Sequence, residues 1–119
     1  MIANTVYRFT LSAVDEPVTA EQYSEHVDRV MDELLALEEG DERISDSAVS
    51  LDAGRGTVEI ELLVTVDGSD YEHAAAISSS VVRAAIHAAG GYTSNWGPEH
   101  GNHTGLVKFR IEELHTVPA

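Results

Sequence analysis

The chain has 119 residues, and its 21 acidic side chains against seven basic ones give a formal charge of −14. That field repels phosphate backbones and anionic lipid, so neither a nucleic acid nor a membrane surface is expected as a partner, while a 43% hydrophobic content argues against disorder. The lack of cysteine excludes disulfides, thiolate nucleophiles and thiolate-bound zinc.

Residues 5–14, TVYRFTLSAV, alternate strictly, with Tyr7, Phe9, Leu11 and Ala13 on one face and Arg8, Thr10 and Ser12 on the other. This is the pattern of a half-buried strand. The N-terminal stretch lacks a basic region followed by an apolar run, so it is not read as a signal peptide. No apolar run reaches the ~18 residues of a membrane span, and a cytoplasmic location is expected.

Thr19 with Gln22 three residues later forms a capping-box signature for a helix over 19–39, closed by Gly40. Tyr23, Val27, Val30, Met31, Leu34, Leu35 and Leu37 then recur at helical spacing. Residues 43–53 read as a strand, DAGRG as a hairpin turn, and 57–67, TVEIELLVTVD, as the best-patterned strand of the chain. Its Val58, Ile60, Leu62, Val64 and Val66 form one apolar face. Ser69 and Glu72 suggest a second capping box, opening an alanine-rich helix that runs to about residue 89 and is closed by Gly90 and Gly91. Its SSS at 78–80 reads as tolerated polar residues. After a long connection, 106–114 alternate again, with Val107, Phe109 and Ile111 inward and Lys108, Arg110 and Glu112 outward.

The order strand, helix, strand, strand, helix, strand over residues 1–119 implies one α+β domain. The expected form is a ferredoxin-like β-α-β-β-α-β arrangement, a four-stranded antiparallel sheet with two helices on one face. The element order by itself carries no function. The uncovered face is expected to pair Arg8 with Glu59 or Glu61. It also retains Val6, Val14, Leu63 and Leu106, which makes it a candidate surface for a homodimer.

The segment 90–105, GGYTSNWGPEHGNHTG, is the most unusual stretch. It holds the only tryptophan and five of the nine glycines, where most connections take about four to six residues. Tyr92, Asn95, Trp96, Glu99, His100 and His103 are therefore the candidate ligand- or partner-binding residues, with Trp96 anchoring the loop by burial. His100 and His103 could supply two metal ligands, with a third from His87, His115, His26 or a glutamate, but the spacing is not H-E-x-x-H and no metal is assigned. His26, His73 and His87 are read as surface or boundary residues of the helices. The glycines at 54–56 form no phosphate cradle and the one lysine, Lys108, lies in the last strand, so no cofactor is expected. No nucleophile elbow is present and no catalytic residue is assigned.

The reading is a small acidic module without enzymatic activity, self-associating through its sheet and binding a protein or small ligand near the loop. Two alternatives stand beside it. One is a small enzyme with a pocket between sheet and helices lined by Tyr92, Trp96 and His100, with histidine as the acid–base group. The other is a divalent-metal binder using His100 and His103.

Overall fold

A computed structural model describes residues 1–13, 17–68, 70–94 and 107–119. The elements are β1 (Ile2–Ala13), α1 (Ala20–Gly40), β2 (Ile44–Asp52), β3 (Thr57–Thr65), α2 (Tyr71–Ala88), β4 (Gly91–Ser94) and β5 (Val107–Pro118). The fold is α+β, with two helices and a five-stranded mixed sheet in the order β2-β3-β1-β5-β4. The expected sheet had four strands, all antiparallel. The added strand is β4, which runs parallel to β5 at the sheet edge, while the other neighbours are antiparallel.

Local chemistry accounts for the helix ends. Thr19 Oγ1 accepts from the Gln22 amide at 3.1 Å and the Gln22 side chain accepts from the Thr19 amide at 2.9 Å, the full capping box. At α2 the cap is Asp70, not Ser69: its carboxylate accepts from the His73 amide at 3.1 Å. An aspartate caps as well as a serine and adds a charge favoured by the helix dipole. Gly90 follows the end of α2 with φ +89, the left-handed conformation that glycine adopts without steric cost.

The alternation of β1 sets the two faces of the sheet. Ala3, Thr5, Tyr7, Phe9 and Leu11 are buried, and their register partners on β3, from Val58 to Val64, are buried with them. Phe109 of β5 joins this face, its ring 5.6 Å from that of Phe9 in an edge-on contact. α2 meets the same face where Ser78 and Ser79 take the hydroxyl of Tyr7, and α1 meets it where His26 packs on Phe109. The serines read as merely tolerated thus supply hydrogen-bond partners to a buried tyrosine hydroxyl. Burial pushes the Tyr7 hydroxyl above its ordinary pKa, so it stays protonated.

Two bulges modify the expected registers. On β5, Arg8 lies opposite Glu113 but Phe9 opposite Ile111, so Glu112 is the extra residue. Arg8 lies opposite Glu59 on β3, as expected, but its ion pair is with Glu113 on β5, at 3.5 Å. On β2 the register shifts between Ser45 and Ala48. There Asp46 takes φ 52 and the Ser47 amide donates to Glu38 Oε1 at 2.7 Å, which irregularises this outer strand. Neither helix is long and apolar enough to cross a membrane, among the described residues.

Candidate functional site

The end of the molecule where β4 and β5 begin collects the features that packing alone does not explain. Its centre is His26. On α1 this residue continues the stripe formed by Tyr23, Val27, Val30 and Leu34, so its ring turns toward the sheet. It is only 4% exposed, with its ring 5.5 Å from that of Phe109. The expectation of a surface or boundary histidine is corrected here. The stripe was the signal, because a polar residue at an apolar position of the helix is buried with its neighbours.

Gly91 fits against this ring because it has no side chain. A Cβ there would lie 2.9 Å from His26 Nε2, 2.8 Å from Ile86 Cγ2 and 3.1 Å from the Ile86 carbonyl oxygen. α1, α2 and β4 therefore meet at one glycine. His26 Nε2 is buried and has no hydrogen-bond partner among the described residues. A proton on that nitrogen would cost about 1–3 kcal/mol as an unsatisfied donor, so the neutral tautomer with the proton on Nδ1 is favoured. Burial, and secondarily the Arg29 guanidinium, hold the imidazole below its ordinary pKa of 6.5, so the ring is neutral at pH 7.

Beside His26 lies a cavity of about 120 Å³. Pro17, Val18 and Val107 give it apolar walls, while Gln22, Glu25 and Arg29 bring polar groups from successive turns of α1. Arg29 forms no ion pair among the described residues. Arg8, Arg43, Arg55 and Arg110 each have a carboxylate within 4 Å. Other concavities are larger and more open. One of about 440 Å³ lies between the end of α1 and the start of α2, beside Arg43, His73 and Ile77. Another of about 360 Å³ lies at the β2–β3 turn, beside Arg8, Arg55 and Glu59.

Of the residues singled out from sequence, Tyr92 lies on β4 opposite Lys108 and is half-buried. Its neighbour Thr93 is buried on the helix side, so alternation places Tyr92 on the other face of the sheet, away from the His26 cavity. Asn95, Trp96, Glu99, His100 and His103 fall outside the described residues, as do Val14 and Leu106. The histidines considered as further metal ligands are dispersed. His87 Nε2 bonds Thr93 Oγ1 at 3.0 Å, His115 Nε2 lies 3.3 Å from Glu113 on the open face, and His26 is buried. Among the described residues no group of three or more histidines and carboxylates could hold a metal ion.

The length of the connection also has a physical account. Gly91 pairs with Val107 and Ser94 with Arg110, both strands running the same way. Residues 95–106 separate the two strands in sequence, and parallel neighbours need a crossover of about a dozen residues or more. Parallel pairing demands this length whether or not the segment binds anything. The chain matches no protein family, no curated protein and no solved structure, so geometry alone guides the functional reading.

Proposed function

We propose that this protein is a small acidic binding module that acts as a homodimer, its two copies joined through the sheet face that the helices leave open. In this reading β2, β3, β1 and β5 form a ferredoxin-like core, β4 is an edge addition, and the end bearing His26 serves a small ligand or a protein partner.

The observation that carries the proposal is the layout of the open face. Asn4 lies opposite both Leu63 and Val117, and Val6 opposite both Glu61 and His115. Ile2 is 49% exposed and Val117 46%, so Ile2, Val6, Leu63 and Val117 make an apolar end on an otherwise charged face. A twofold axis along β1 sets Leu63 of one copy over Val117 of the other and Glu61 over His115, with the two Val6 side chains meeting at the axis. At this apolar end the face is self-complementary, as a twofold interface requires, whereas further along β1 the same axis sets the two Arg8 side chains over each other and Glu59 over Glu113. Four strands spaced ~4.8 Å apart and about nine residues long present roughly 600 Å² of plane on each copy, near the lower limit for a stable dimer.

Sedimentation velocity of the parent chain and of Leu63→Lys tests this. The parent is expected at twice the chain mass at micromolar concentration and Leu63→Lys at the chain mass, with Leu35→Lys on the helix side leaving the dimer intact. A monomeric parent, or dimers lost equally in both variants, would overturn the proposal.

A further inference from the structure

We infer that the cavity beside His26 is a binding site for a short monocarboxylate, its head group held by Arg29 and the Nδ1–H of His26 and its carbon chain set against Val18 and Val107. This rests on the reading of that end as the ligand-binding one and adds the class of ligand.

Size is the first argument. A cavity of about 120 Å³ is slightly smaller than the ~150 Å³ apolar cavity that admits benzene, so it takes about four to six non-hydrogen atoms. Polarity is the second. Val18, Pro17 and Val107 form walls that suit a hydrocarbon chain, and among the described residues the polar groups come from α1, which suits a ligand with one polar end and one apolar end. Charge is the third. In a chain of −14, Arg29 lines the cavity and has no ion pair among the described residues, and a guanidinium matches a carboxylate through two parallel hydrogen bonds. His26 adds a neutral donor, because its Nε2 is buried against Gly91 without a partner among the described residues, which favours the proton on Nδ1. Glu25 also lines the cavity, one turn before Arg29. Its carboxylate opposes anions, so one negative charge offset by Arg29 is favoured over the two of a dicarboxylate or phosphate.

The test is an NMR titration of the full chain at pH 7.5 with acetate, propionate and butyrate, at constant ionic strength maintained with chloride. The His26 ring protons and the Arg29 Nε–H are the reporters. Saturable shifts with millimolar dissociation constants are expected, tightening from acetate to butyrate, with inorganic phosphate and succinate at least tenfold weaker. Arg29 is exposed, so Arg29→Gln keeps the fold and is expected to weaken butyrate at least tenfold; His26→Phe is expected to do the same. Shifts that stay linear, that persist in Arg29→Gln, or that butanol and butylamine reproduce would each overturn the inference. Diffusion coefficients from the same samples report the dimer separately. A dimer that ignores carboxylates refutes this inference alone, and a monomer that binds them refutes only the proposed self-association.

Discussion

Gly91→Ala places a methyl group where three elements converge, and its cost follows from the distances. The new Cβ would lie 2.8 Å from Ile86 Cγ2, 2.9 Å from His26 Nε2 and 3.1 Å from the Ile86 carbonyl oxygen. The first two atoms belong to buried side chains and the third to the backbone of α2, so none can step aside into solvent. Overpacking of a close-packed site costs about 1–3 kcal/mol, and with backbone among the neighbours the upper half of that range applies. For a domain of this size each kcal/mol is worth about 4 °C, so Tm is expected to fall by about 8–12 °C. Gly40→Ala is the control: nothing lies within 4 Å of its Cβ, and in the last turn of α1 it should leave Tm unchanged or raise it slightly. Calorimetric melts of both variants, and of His26→Ala with and without Gly91→Ala, make the assay. Because the two side chains contact, the double variant should be less destabilised than the two single losses together. If Gly91→Ala melts within a degree of Gly40→Ala, then α1, α2 and β4 do not meet as described.

Tyr7→Phe deletes a fully buried hydroxyl bonded to Ser78 and Ser79, and a loss of about 1–2 kcal/mol is expected from chemical denaturation. The His26 imidazole is held below its ordinary pKa of 6.5 in the folded chain, so below pH 6.5 the unfolded chain takes up a proton that the folded chain refuses. The His26 contribution is therefore complete above pH 6.5 and declines as the pH falls below it. His26→Phe should flatten that part of the stability–pH curve, and an unchanged slope would contradict the buried neutral ring. Dimerisation should strengthen with salt, because two charges of −14 with centres about 25 Å apart repel by about 3 kcal/mol in 0.1 M salt and negligibly in 1 M. A dimer constant that tightens by ~10²-fold in sedimentation equilibrium fits this account, and one that weakens with salt points to an interface of ion pairs.

The features legible in the sequence are those written locally. The period-two pattern of β1 and β3, the Thr19–Gln22 box and the hairpin turn at 53–56 depend on residues within a few positions of one another, and each forms as read. Leu34 and Val64, assigned to the core by periodicity, are fully buried. Pairings decided across the sheet were not legible. β4 has four residues, too few for a period, and it exists through its parallel partner β5. The bulge at Glu112, which sets Arg8 opposite Glu113, belongs to the pairing of β5 with β1, and no local residue pattern announces it. At the candidate site the loop is marked by its composition, whereas His26 reads from sequence as a surface or boundary residue of a patterned helix and Arg29 carries no local signal. Helical spacing puts His26 on the buried stripe, but its unpartnered nitrogen depends on Gly91, 65 positions further along the chain.

The self-association claim is tested most directly by isotope-filtered NOE spectroscopy on an equimolar mixture of ¹³C-labelled and unlabelled chains, which detects only contacts between copies. Intermolecular NOEs are expected from the methyl groups of Val6, Leu63 and Val117, with Leu63 of one copy meeting Val117 of the other. Intermolecular NOEs confined to α1 and α2, or none at concentrations where the mass is that of a dimer, would contradict the open-face interface.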